Sequence, residues 1–146
     1  MSKSSGNNEK SEAEKNQENK DKKAIQDKIT TKRAEVSKYN GLVAWFQRTK
    51  NHLSELKGSL VWNYNICTSS QLLTEVEITG IFEGVCAEKT KLKINNATRL
   101  IGLNILKTQD VMDGIDNQIA KLNTQISTLN TEITNLSIEL AKIGAK

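Results

Sequence analysis

The stretch that decides the fold is IAKLNTQISTLNTEITNLSIELAKI, residues 119–143. Counted in alternating steps of three and four, it passes through Ile119, Leu122, Ile126, Leu129, Ile133, Leu136, Leu140 and Ile143. All of these are aliphatic. From Ile119 to Leu136 the pattern is strictly Ile at a and Leu at d. A repeat averaging 3.5 residues lines one stripe of an α-helix and is the seam of a coiled coil.

The same frame runs back from Ile119 to Ala87 without a skip. Its earlier d positions are Ala87, Ile94, Ile101, Thr108 and Ile115, and its a positions include Ile105 and Met112. A long helix over about 87–143 follows. Lys142 and Gly144 suit its C-terminus. Gly102 and Gly114 are weak points inside it, each costing about 1 kcal/mol relative to alanine. The flanking e and g positions are mostly uncharged (Asn123, Gln125, Asn130, Ser137), with Glu132 and Glu139 the charged ones. Charged flanks normally fix partner and orientation, so this seam is sticky toward apolar helices in general.

A second heptad lies upstream. Ile29, Val36 and Val43 occupy a, and Ile25, Tyr39, Phe46 and Leu53 occupy d. The frame closes only if Lys32, Lys50 and Lys57 are admitted to the seam. Leu42, Trp45 and Leu56 widen the stripe, which implies more than one neighbour. With Gly58 as a stop, a first helix is predicted over about 24–58. Between the helices, residues 59–86 read as a connection with little helix. Leu60, Val61, Trp62, Tyr64 and Ile66 show no helical period there, and Thr68-Ser69-Ser70-Gln71 has the form of a capping box. Residues 1–23 are polar, with no large apolar side chain after Met1. They are predicted to be a disordered tail, because they cannot bury enough surface to offset chain entropy. The domain organisation is then a tail at 1–23 and one helical hairpin domain at 24–146.

Composition agrees. Proline is absent, and only 4% of the 146 residues are aromatic, which favours long uninterrupted helices over a thick globular core. The fold class is therefore all-α: an elongated antiparallel helical hairpin or coiled coil with a disordered N-terminal tail.

The same residues exclude several functions. The net charge is +4, and residues 24–58 carry seven basic against three acidic residues. A solvated helical face explains that excess better than nucleic-acid binding does. No segment approaches the roughly 20 apolar residues of a membrane span. No apolar h-region marks a cleavable signal, so a cytoplasmic location is expected, with export only alongside a partner. Cys67, Cys86 and the single His52 fall short of a zinc ligand set, and two free thiols are the default over a Cys67–Cys86 bridge. Asp110, Asp113 and Asp116 read as a solvated face rather than a cation site. There is no Gly-rich phosphate loop and no Ser/His/Asp set. No enzyme, cofactor or metal is expected.

Helix length points to a partner. At 1.5 Å per residue the first helix spans roughly 50 Å and the second roughly 85 Å. Folded antiparallel about 59–86, the first runs out near residue 123 of the second, leaving the zipper from about Ile119 uncovered. Either the second helix bends back at Gly102 or Gly114, or another chain covers it. The expected partner-binding seam is Ile115, Ile119, Leu122, Ile126, Leu129, Ile133, Leu136, Leu140 and Ile143.

Residues Phe82-Glu83-Gly84-Val85-Cys86-Ala87 resemble the W-x-G turn of small helical proteins handled by type VII secretion, with Phe82 and Gly84 in the motif positions. Ile115-Asp116-Asn117-Gln118-Ile119-Ala120-Lys121-Leu122-Asn123 resembles the repeats that end the LXG-toxin-associated, YwqH-like branch. Trp62 lies outside the turn, and no Y-x-x-x-D/E export motif stands near the C-terminus. The resemblance covers roughly residues 24–143. It implies an adaptor or targeting chaperone for the helical N-terminal domain of a secreted toxin, with or without a second small helical partner. A homo-oligomeric coiled-coil scaffold ranks second, and a helical nucleic-acid-associated regulator third.

Overall fold

The computed structural model describes residues 11–69 and 85–144. Two long helices, α1 (Glu12–Thr68) and α2 (Val85–Gly144), pack against each other as an all-α hairpin. The chain divides into two compact units.

The first unit joins α1 up to Leu42 with α2 from Leu122. Here the structure corrects the expected boundary, for α1 begins at Glu12 and not near Ala24. Residues 12–23, expected to be disordered, are helical. The cause is local polar chemistry. The Ser11 amide donates to the Glu14 carboxylate at 2.9 Å, and the Glu14 amide donates to Ser11 Oγ at 3.3 Å. This reciprocal capping box satisfies two amides that a helix N-terminus otherwise leaves unpaired. One turn on, Gln17 bonds Asp21 at 2.9 Å and Lys22 pairs with Glu18 at 2.8 Å, both at the i,i+4 spacing that supports helix without burial. Farther along, Ile25, Ile29 and Leu129 are buried. Lys32 meets Glu132, while Tyr39 shares a small cleft with Thr124, Gln125 and Leu129, so the two segments run antiparallel.

The second unit contains Val43–Lys121. As numbers rise on α1 they fall on α2: Lys50 bonds Asp116, Lys57 bonds Gln109, and the Tyr64 ring lies over Gly102. A Cβ at Gly102 would stand 3.4 Å from Tyr64 Cε2, so glycine there lets the ring lie close. Met112 and Ile115 are buried in this unit. The expected stop at Gly58 does not occur, and α1 continues to Thr68. Leu60, Tyr64 and Cys67 extend the heptad from Lys57, and that continuing seam outweighs one glycine, whose added Cβ would meet nothing within 4 Å. The Thr68 and Ser69 hydroxyls donate back to the Tyr64 and Ile66 carbonyls at 2.9 and 2.8 Å, closing the C-terminus of α1. Ser70 and Gln71 of the expected capping box lie outside the described residues.

In each unit the covered side chains recur at heptad spacing. On α1 they are Ile25, Ile29, Lys32, Val36 and Tyr39, then Val43, Phe46, Lys50, Leu53, Lys57, Leu60 and Cys67. Among the described residues, five hydrophobic side chains are buried, and the rest of the seam is half-buried except for Tyr64, which is exposed. That is the geometric limit of two helices, which can cover each other's a and d positions from one side only.

Candidate protein-binding surface

The nine residues expected to form a partner-binding seam all lie on the covered stripe of α2. Ile115 and Leu129 are buried, and Ile119, Leu122, Ile126, Ile133, Leu136, Leu140 and Ile143 are half-buried. The expected overhang does not occur. Because α1 starts at Glu12, twenty residues precede Lys32, whereas only twelve follow its partner Glu132 to Gly144. The chain's own α1 therefore reaches the whole zipper, and α2 needs no bend at Gly102 or Gly114. The W-x-G-like pair Phe82 and Gly84 lies outside the described residues, as does the side chain of Cys86. Cys67 is a half-buried free thiol.

Polar groups along the seam cross-link the helices and do not converge on a reaction centre. Lys32 Nζ donates to Glu132 Oε2 at 2.5 Å. Its ammonium is held above its ordinary value, first by that hydrogen bond, against partial desolvation, and then by the charges of Glu132 and Glu35. Lys50 Nζ donates to both oxygens of Asp116 at 2.6 Å, and Lys57 Nζ to Gln109 Oε1 at 2.5 Å. Gln109 in turn donates to Asp113 at 2.6 Å. Asp113 and Asp116 thus have partners of their own, and among the described residues no three His, Cys, Asp or Glu side chains converge as a metal site.

What the structure leaves uncovered lies elsewhere. In the second unit α1 exposes Trp45, Leu56, Val61, Trp62 and Ile66, with Trp62 66% and Trp45 53% exposed. The Trp45 ring meets Phe46 edge-on at 5.0 Å, so it is anchored at one edge and open at the other. On α2 the exposed large side chains among the described residues are Leu92, Leu100, Leu103, Leu106, Val111 and Ile138. The four leucines fall at the b, c and f positions, opposite the a/d seam. Within 92–106, α2 therefore carries apolar side chains on both sides. Its outer face farther along carries Thr124, Ser127, Thr128, Thr131 and Thr134, with Ile138 as a single exposed apolar residue. Several large apolar side chains exposed along one helix face mark a binding site more often than scattered single residues do. Reading along the a/d frame passed over these leucines, although their off-frame spacing was the available signal.

Among the described residues no helix is long and apolar enough to cross a membrane. No family model matches this chain, and neither a curated protein nor a solved structure matches it.

Proposed function

We propose that this chain is a non-enzymatic helical adaptor that works by binding another helical protein. The observation that carries this reading is the exposed row of leucines on α2, backed by Trp45 and Trp62 on α1. Burying one such side chain stabilises a complex by about 1.5–3 kcal/mol. The W-x-G-like sequence at Phe82 and Gly84, together with the repeat-like segment from Ile115, supports a helical N-terminal domain of an LXG-type secreted toxin as the partner. Co-expression with the product of the neighbouring gene, followed by mass measurement in solution, tests the reading. A stable hetero-complex supports it, and two separately eluting proteins overturn it.

Self-association as a coiled-coil scaffold is the second reading. It is favoured by the half-buried seam, which a second hairpin completes in a four-helix bundle. The mass of the chain alone across a concentration series distinguishes the two.

A further inference from the structure

The outer face of α2 is unusual in charge as well as in hydrophobicity. Between Lys89 and Lys107 the helix contains five basic residues and no acidic one. Four of them, Lys89, Lys93, Arg99 and Lys107, are exposed and share the b, c and f positions with Leu92, Leu100, Leu103 and Leu106. One turn later the sign reverses, with exposed Asp110 and Asp113 on the same side.

We infer that this face, residues 89–113 of α2, is the docking site for an acidic amphipathic helix of the partner. The inference rests on the adaptor reading and adds the site and the partner's chemistry. The partner's apolar residues lie along the leucines in steps of three and four, which is the helix-in-groove mode. Its Glu or Asp side chains lie against Lys89, Lys93, Arg99 and Lys107. A basic residue at one end lies against Asp110 and Asp113, and so sets its direction. Complementary charge of this kind governs specificity and association rate more than raw affinity.

A basic helix with apolar residues also suits an anionic lipid surface. Two observations favour a helix. The leucine stripe is narrow and interrupted by Asn96, and the charge reverses at Asp110 on the same face. A lipid surface would be repelled there, whereas a helix of matching polarity is not.

The test uses the full chain and three probes: a stapled helical peptide with a leucine stripe flanked by glutamates, the same peptide with lysines in place of the glutamates, and vesicles containing phosphatidylserine. The glutamate peptide should bind about tenfold more tightly than the lysine peptide, and its binding should weaken as salt is raised. Lys93→Glu with Arg99→Glu should reverse the preference, and Leu103→Asp should abolish binding of both peptides. Equal affinity for the two peptides overturns the proposal, as does binding to vesicles alone. Circular dichroism of each variant checks that the hairpin persists, and Leu100→Ala serves as a milder variant should Leu103→Asp disturb it. A further arm separates this inference from the adaptor reading. A co-expressed complex that survives both Leu103→Asp and the charge reversal leaves the adaptor reading standing and removes this face as its site. Absence of any complex removes the adaptor reading itself.

Discussion

Lys32 of α1 reaches Glu132 of α2 at 2.5 Å across one hundred residues of sequence. The lysine occupies a seam position where an aliphatic residue would pack better. Lys50 and Lys57 do the same and find Asp116 and Gln109. A charged group in a seam costs stability but fixes register, because only the native alignment offers each ammonium its acceptor. Replacing all three lysines with leucine should raise the melting temperature by several degrees, each change adding about 1–2 kcal/mol of apolar burial. The same variant should lose uniqueness, giving a mixture of masses by sedimentation. A lower melting temperature with a single unchanged mass would show that the lysines act mainly as stabilisers.

The pH dependence of the Lys32 pair has a definite sign. Glu132, through the hydrogen bond first, raises the Lys32 ammonium above 10.5. The folded state then holds this proton more tightly than the unfolded chain does. The contribution is complete below the unfolded value and is lost as pH climbs through the folded one. Denaturant titrations of wild type and Lys32→Met should therefore differ by a constant amount near neutrality. Above about pH 10.5 the difference should shift against wild type. A difference that moves instead between pH 5 and 8 would rule out this assignment.

Gly114 is exposed within α2, and a Cβ there would meet nothing within 4 Å. Gly114→Ala should stabilise the chain by about 1 kcal/mol, through helix propensity and a less flexible unfolded state. At Gly102 the added methyl would touch Tyr64 at 3.4 Å, so alanine is tolerated and larger side chains displace the ring. Thermal unfolding of both variants gives the comparison.

These sites also mark what the sequence could and could not reveal. The a/d frame was legible in both helices, including Lys32, Lys50 and Lys57, because a seam position is defined by spacing whatever occupies it. The ends of α1 were not. Helicity from Glu12 to Lys23 rests on Ser11, Glu14 and i,i+4 polar pairs, which carry no hydrophobic period. From Leu60 to Thr68, the off-seam Val61, Trp62 and Ile66 masked the frame that Leu60, Tyr64 and Cys67 continue. The cover of the zipper was hidden for a related reason. Once α1 was read as starting near Ala24, the zipper lacked a cover, and Leu92, Leu100, Leu103 and Leu106 went unweighed as a second face.

The N-terminal cap gives a local prediction. Ser11→Ala should cost about 1 kcal/mol in the first turns of α1. Residues 11–17 are exposed, so the global melting temperature should hardly change. Amide exchange should accelerate from Glu12 to about Gln17 and stay unchanged beyond Ile25. Faster exchange at Ile29 would mean that the cap supports the core as well.

The last prediction opposes the two faces of α2. Leu129 is 9% exposed and Ile133 is half-buried, both on the seam toward α1. Leu103 and Leu106 are 42% and 63% exposed on the opposite side. Aspartates at 129 and 133 would put two carboxylates into an apolar seam, at a cost of several kcal/mol. Helix content should fall, and the first unit should unfold even in the isolated chain. Aspartates at 103 and 106 remain solvated, so helix content and melting temperature should change little. Association with a helical partner should nonetheless be lost, because the charges enter an interface that the free chain does not bury. Circular dichroism and mass in solution, measured on both double variants, read the two effects separately. If the 129/133 variant keeps its helix content while losing association, the zipper is the binding site after all and the outer leucines are not.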